Sequence, residues 1–219
     1  MNYFGLVKKK EVWGLTLRGW IVSFICFGVI LTICIFNLHS FLAISKPVNC
    51  EIMAIEGWLP DYALEKVIHE FKTNNYRLLV VTGGPIEQGH YLIKYKSYAE
   101  IGAATLKKLG FDEKLVLAVP APSVERDRTY ASAKALKKWL ISSGLQIRCI
   151  NLYSLGAHSR RSWLLFEKAL GDNVTVGVVS IDDLSYDPRY WWKCSNGVRD
   201  VIDETIAYLY ARFFFYSYN

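Results

Sequence analysis

Several signatures of metal and redox sites are missing from this chain. None of the five cysteines belongs to a Cys-x-x-Cys pair, so neither a zinc site nor a thioredoxin-like centre is indicated. The His-Glu-x-x-His spacing of zinc hydrolases is also absent, and loop histidines such as His90 and His158 more often face solvent or make hydrogen bonds. We therefore predict no metal site. A disulfide between Cys50 and Cys149 stays open, because nothing in the sequence sets their separation.

Motifs for other common chemistries are missing too. Gly83-Gly84 matches neither the Walker pattern nor Gly-x-Gly-x-x-Gly, and a glycine pair after a strand is more often a tight turn. Ser154 and Ser159 flank His158, but there is no Gly-x-Ser-x-Gly elbow of a serine hydrolase. No long basic run with interleaved aromatic residues occurs in the domain that follows residue 45, so a nucleic-acid partner is not predicted.

Charge is missing from residues 19–45, which are dominated by Ile, Val, Phe, Leu and Cys. A bilayer core of roughly 30 Å needs about 20 helical residues, so this run predicts a transmembrane anchor. A cleaved signal peptide is the alternative, but its apolar region is usually about 7–15 residues long and ends at small residues. Ala43-Ile44-Ser45 is a poor cleavage match, which favours the anchor.

The charges on either side of the run orient the predicted anchor. Lys8-Lys9-Lys10 and Arg18 precede it and are opposed only by Glu11, whereas Lys46 stands nearly alone beyond it. Cytoplasmic flanks are enriched in Lys and Arg, so we predict cytoplasmic residues 1–18 and an extracytoplasmic domain over residues 46–219 of a plasma (inner) membrane protein. Half of the formal net charge of +6 belongs to residues 1–45, since 22 basic and 19 acidic residues remain after them.

The domain after the anchor alternates between two kinds of segment. Short apolar, β-branched runs predict strands at residues 51–55, 78–82, 115–119, 147–153 and 174–179. Segments with helical spacing follow them, with Asp61 as the predicted N-cap of the first and Gly110 as the residue after the second. Strict alternation requires right-handed crossovers. We therefore predict an α/β fold, a Rossmann-like three-layer domain with a mainly parallel five-stranded sheet.

Cations cluster in the loops that follow the strands, where ligands bind in such folds. They lie where helices are predicted to begin, which the helix dipole disfavours unless an anion binds between them. The residues are Arg126, Arg128, His158, Arg160 and Arg161. The alternative is that the arginines pair with Glu87, Glu125, Asp127 or Asp182 and only tie the loops together.

These features together carry a resemblance. The Gly83-Gly84 loop, the helix start at Thr129 and His158-x-x-Arg161 after the fourth strand, combined with the anchor, resemble the SanA/ElyC/YdcF-like family, the domain of unknown function 218. The similarity covers roughly residues 50–212, nearly the whole domain beyond the anchor. Where many members carry Glu-Ala, this chain has Tyr98-Ala99.

The resemblance implies a role in the bacterial cell envelope, in barrier integrity and in peptidoglycan or lipid-carrier metabolism. The expected ligand is an anionic envelope precursor, phosphorylated or polyprenyl-linked, and the expected chemistry is hydrolysis or transfer at a phosphate. His158 would be the acid or base, and Glu56 or Asp127 would orient a nucleophile. The candidate binding residues are Gly83, Gly84, Arg126, Arg128, Thr129, Ser154 and Arg161.

Two other functions remain open, and no cofactor is assigned. Some relatives suggest an adenosyl-type ligand, which the fold permits. Alternatively, the domain is a non-catalytic binding or scaffold module for envelope-assembly proteins. Aromatic residues support that interpretation, since they favour protein interfaces and membrane headgroup regions. They are Tyr186, Tyr190, Trp191 and Trp192, of which Trp191 and Trp192 are expected rather as core residues at the edge of the sheet. Residues 213–218 are expected to rest on the bilayer near the anchor.

Overall fold

The computed structural model describes residues 13–87 and 94–216. The chain divides into two compact units, Met1–Asn37 and Leu38–Asn219. Several residues used in the sequence analysis lie outside the described ranges, namely Lys8, Lys9, Lys10, Glu11, His90 and Tyr218.

The first helix, α1, spans Leu17–Leu42. It is long and apolar enough to cross a membrane by length and composition. It starts two residues before the predicted run of residues 19–45 and ends three residues before the end of that run. Its last residues, from Leu38 onward, belong to the second unit.

The second unit contains a five-stranded parallel sheet, as predicted. The strands are β1 (Ile52–Glu56), β2 (Leu78–Gly83), β3 (Val116–Pro120), β4 (Cys149–Leu155) and β5 (Thr175–Ile181). Their order across the sheet is β3-β2-β1-β4-β5, and every neighbouring pair is parallel. Chain order therefore reverses between β1 and β4, whose carboxyl ends flank the crevice where ligands bind in this class of fold.

Helices cover both faces of this sheet. They are α2 (Asp61–Thr73), α3 (Tyr98–Lys108), α4 (Arg128–Ser142) and α5 (Ser159–Leu170), and α6 (Ser195–Phe213) packs against α5. Met53 and Ile55 of β1 pack with α2 and α3, whereas Ala54 between them packs with α4 and α5. Alternate strand residues thus enter two separate cores, which confirms the predicted three layers.

The element ends differ in detail from the predictions. Asp61 is the first residue of α2 and not its N-cap; Pro60 takes the cap position and makes no side-chain hydrogen bond. An aspartate in the first helical turn still complements the helix dipole. Gly110 directly follows the C-cap of α3 with a φ of +86°, as predicted for a helix stop. Strands β1 and β4 end at Glu56 and Leu155, beyond their predicted ends. The polar residues of the site therefore lie in the last residues of these strands and not in the loops that follow.

The segment before β1 is tied to the sheet by polar and covalent links. Asn151 of β4 is buried, accepts a hydrogen bond from Val48 N at 2.9 Å and donates one to Val48 O at 2.7 Å. A disulfide joins Cys50 to Cys149, and their Cα atoms are 5.8 Å apart. The chain that follows α1 is therefore anchored at the amino end of the central strands.

Candidate functional site

Glu56 and Ser154 meet where the order of the strands reverses. Glu56 ends β1, Ser154 lies near the end of the adjacent β4, and both side chains are buried. Ser154 Oγ donates a hydrogen bond to one carboxylate oxygen of Glu56 at 2.5 Å, and Ser162 Oγ of α5 donates to the other at 3.0 Å. Both oxygens are therefore occupied by hydroxyl donors.

The imidazole of His158 lies between two carboxylates. His158 ends the short 3-10 helix Gly156–His158 that leads into α5, which brings its ring over the ends of β1 and β4. Its Nε2 is 3.3 Å from Oε1 of Glu56, an ion-pair contact without the alignment of a hydrogen bond. Its Nδ1 donates to Oε1 of Glu204 at 2.8 Å. The rings of Trp58 and His158 are nearly perpendicular, with 5.0 Å between their centroids.

Arg161 lies one helical turn after His158 and binds the same glutamate. Its Nε donates to Oε2 of Glu204 at 2.7 Å, and one terminal nitrogen donates to Oε1 at 2.9 Å. The other terminal nitrogen is 3.5 Å from Thr129 Oγ1 of α4. A two-pronged pair of this kind fixes the guanidinium geometry more strongly than a single contact does. Glu204, on α6, thus connects Arg161 of α5 with His158, the residue that precedes α5.

Burial and mutual attraction set the protonation of this cluster. Burial would lower the pKa of His158, but the charge of Glu56 and the hydrogen bond to Glu204 raise it to about 9. Burial would raise the pKa of Glu204, but hydrogen bonds from Arg161 and His158 lower it to about 2. Burial would also raise the pKa of Glu56, but the nearby charge of His158 lowers it. At neutral pH the cluster holds two positive and two negative side chains.

The cluster lines a cavity of about 670 Å³ at the carboxyl edge of the sheet. This size suits a small ligand or one end of a larger one. The predicted residues that line it are Glu56, Gly83, Gly84, Asp127, Arg128, Thr129, His158 and Arg161. The structure thus brings most of the candidate residues from four separate loops to one site.

Gly83 and Gly84 have different surroundings. A Cβ atom on Gly83 would come within 2.8 Å of α3, at Ala99 N and the Tyr98 side chain, so this glycine permits α3 to approach the sheet. Gly57 is tighter still, because a Cβ there would lie 2.2 Å from Tyr98 O. A Cβ on Gly84 meets nothing within 4 Å. Of the glycine pair, only Gly84 leaves open space beside the cavity.

The start of α4 forms another wall of the cavity. Asp127, the N-cap residue, has a left-handed backbone with a φ of 59°, and its side chain does not cap the helix. Left-handed conformation is uncommon outside glycine and is best tolerated by Asp and Asn. The first-turn N–H groups of α4 thus have no side-chain cap among the described residues, and Thr129 lies beside them.

Three of the arginines are engaged in ion pairs, as the alternative interpretation of the cation cluster expects, and Arg160 instead donates a hydrogen bond to Phe41 O. Arg128 lies 2.5 Å from Glu87, and Arg126 lies 4.0 Å from Asp127; both arginine side chains are about two-thirds exposed. Arg126 does not line this cavity but a neighbouring groove of about 1020 Å³ along α4. Of the predicted arginines, only Arg161 is largely buried within the cluster.

Three contributors were missed in the sequence analysis. Glu204 lies on α6 among exposed residues that include a second acidic residue, Asp203. No local pattern in the sequence therefore indicates that its side chain binds residues inside the domain. Ser162 shares a helical face with His158 and Ser159, and only the i to i+4 spacing from His158 could have suggested it. Trp58 lies two residues after Glu56, in the loop that follows β1.

Comparisons with protein-family models, curated proteins and solved structures gave no match.

Proposed function

We propose that this chain is a membrane-anchored protein of the bacterial envelope whose extracytoplasmic domain binds a phosphorylated precursor in the cavity beside His158. The observation that carries the proposal is the buried cluster of Glu56, His158, Arg161 and Glu204 at the point of strand reversal. Backbone N–H groups at the start of α4 and the Thr129 hydroxyl would contact the phosphate. The family resemblance supplies the envelope context.

Two observations support the proposed side of the membrane. Basic residues precede the apolar helix, and the domain beyond it contains the Cys50–Cys149 disulfide. Disulfides persist in oxidising compartments and are rare in the bacterial cytoplasm. Both features fit a domain outside the plasma membrane.

The proposed role of His158 follows from its protonation. A histidine with a pKa of about 9 carries a proton at neutral pH and can act as a general acid toward a leaving-group oxygen. Its Nε2 is buried and lies 3.3 Å from Oε1 of Glu56 without an aligned hydrogen bond, whereas Nδ1 is held by Glu204. Glu56 has both oxygens occupied, so it positions the ring and does not itself orient a nucleophile. Asp127 remains the candidate for that task.

A non-catalytic binding function is the second candidate. The charges of the cluster are mutually compensated, since His158 and Arg161 share Glu204. A site of this kind can recognise a ligand without turnover. Release of phosphate from a bound precursor would favour the enzyme, and binding without release would favour the module.

The proposal is tested by thermal melting of the full chain in detergent with pyrophosphate, a polyprenyl phosphate, a sugar nucleotide or an adenosyl compound. A ligand that binds only the folded state raises the melting temperature. We expect a rise with the polyprenyl phosphate that Thr129→Val abolishes. The matched control is Thr73→Val, whose hydroxyl bonds to His69, Glu70 and Asn74 at the end of α2, away from the cavity. No rise with any phosphate compound, or an equal rise in Thr129→Val, would contradict the proposal.

A further inference from the structure

Helix α6 carries large apolar side chains on its outer face. Its exposed residues recur every three or four positions and so form one stripe along the helix: Val198, Ile202, Ile206, Leu209 and Phe213. Ile206 and Phe213 are 62% and 66% exposed. Exposed aromatic residues lie near both ends of the stripe, Tyr190 before it and Phe214 and Tyr216 after it.

Two of the three carboxylates of α6 point the other way, whereas the third, Asp203, is exposed. Glu204 binds His158 and Arg161, and Asp200 accepts a hydrogen bond from Tyr186 at 2.5 Å. The buried apolar residues on the inner side, Val201 and Ala211, are small. The helix therefore directs two carboxylates into the domain and five large apolar side chains outward, the reverse of a helix whose outer face meets water.

The charges beside the stripe are suited to a negatively charged surface. At about 100° per residue, the face from Val198 to Phe213 contains no acidic residue, and the exposed Asp203 lies about 60° beyond Ile206. Arg199 and Arg212 are exposed and border it on opposite sides. Lys and Arg that flank an apolar helix face attract anionic lipid headgroups.

The end of α1 contacts α6 beside the stripe. Phe41, in the last turn of α1 and in the same compact unit as α6, packs edge-on against Tyr208 with 5.6 Å between centroids. The guanidinium of Arg160 stacks on Phe41 at 3.9 Å from the ring centroid. Phe41, at the end of α1, thus contacts Tyr208, which precedes the stripe residue Leu209 in sequence.

We propose that the stripe on α6 docks in the headgroup region of the bilayer that α1 crosses, with Arg199 and Arg212 toward anionic lipid. The inference rests on the proposed anchorage by α1, but it is independent of the ligand of the cavity and of which side the domain occupies. Docking covers the apolar face and holds the opposite face of α6, with Glu204, at a fixed height above the membrane.

A fluorescent probe on the stripe tests the proposal. The full chain, with Cys26→Ala, Cys34→Ala and Cys194→Ser, retains the native disulfide and receives Ile206→Cys for an environment-sensitive label. The matched control is Ile141→Cys, because Ile141 is an isoleucine of α4 that is 74% exposed and lies outside the stripe. Both proteins are reconstituted in phosphatidylethanolamine–phosphatidylglycerol vesicles that contain a headgroup nitroxide lipid.

We expect a blue-shifted emission and several-fold stronger nitroxide quenching at position 206 than at position 141. Arg199→Glu should reduce the quenching at 206 in these vesicles but not in phosphatidylcholine vesicles. Equal, weak quenching at both positions in protein that floats with the vesicles would overturn docking and leave anchorage intact. Fluorescence energy transfer between labels on two copies of the chain, without quenching by the nitroxide lipid, would also overturn docking. It would indicate that the stripe is an interface between two copies. Failure to float with the vesicles after an alkaline wash would overturn anchorage and docking together.

Discussion

Glu204 accepts a hydrogen bond from Nδ1 of His158 at 2.8 Å and so joins the last helix of the chain to the point where strand order reverses. The two residues come from α6 and from the loop before α5, and both are largely buried. A buried carboxylate needs charged partners, and here it has both His158 and Arg161. The contact therefore couples the packing of α6 to the protonation of the candidate site.

Removal of Glu204 should destabilise the domain. Glu204→Ala leaves His158 and Arg161 buried without their shared partner, which we expect to cost about 3–5 kcal/mol in the free energy of unfolding. The matched control is Glu51→Ala, which breaks the exposed pair with Arg77 and should cost at most about 1 kcal/mol. Denaturant titration of the full chain in detergent measures both, and equal losses would refute a buried ion cluster.

The stability of the domain should decrease in mildly alkaline solution. Folding raises the pKa of His158 from its ordinary 6.5 to about 9, so the stabilisation is complete below about pH 6.5 and is lost as pH rises through about 9. A shift of this size corresponds to roughly 3 kcal/mol. Melting temperatures between these pH values should fall in the wild-type chain and should be flatter in His158→Asn. Parallel curves would show that another group titrates.

The close approach of α3 to the sheet predicts a strict requirement for glycine. Gly57→Ala places a Cβ atom 2.2 Å from Tyr98 O, which forces α3 away from β1. We expect a loss of at least about 1–3 kcal/mol, the usual cost of an overpacked core. Gly84→Ala, which meets nothing within 4 Å, should leave the free energy of unfolding unchanged. A tolerated Gly57→Ala would mean that α3 shifts without loss of packing.

The strands and helices could be predicted because β-branched runs and helical spacings are local properties. His158 and Arg161 were also predictable as neighbours, since residues three apart share a helical face. The rotation of α6 was not predictable. Its apolar spacing has the periodicity of a core face, yet in the structure Ile202 and Ile206 face outward while Glu204 faces inward. The partners of Glu204, His158 and Arg161, explain this orientation, and they are distant from it in sequence.

The C-terminal aromatic residues also include both buried and exposed side chains. All of them were expected at the bilayer, and for Phe215 this is wrong. Its ring is buried, packs against Tyr130 at 4.8 Å between centroids and lies under Lys168. Phe213 and Phe214 are exposed. A single aromatic run contains one core anchor among surface residues, and composition alone cannot separate them.

The predicted topology has a direct test in cells. A reporter that is active only outside the cytoplasm, fused after Asn219, should be active because basic residues precede the apolar helix. The matched variant replaces Lys8, Lys9 and Lys10 with glutamate, which should reduce activity by weakening the charge bias. Silence of a stably expressed wild-type fusion would contradict the extracytoplasmic location.

The disulfide gives an independent test of the same compartment. In protein extracted from cells under alkylating, non-reducing conditions, three of the five cysteines should react and two should be protected, since Cys26, Cys34 and Cys194 are free. The bridge closes a separation of 99 residues, so Cys50→Ser with Cys149→Ser should lose about 2–5 kcal/mol of unfolding free energy. Reduction of the wild-type chain should lower its melting temperature, whereas the double variant should not respond. Five reactive thiols in freshly extracted protein would place the domain in a reducing compartment and contradict the proposed orientation.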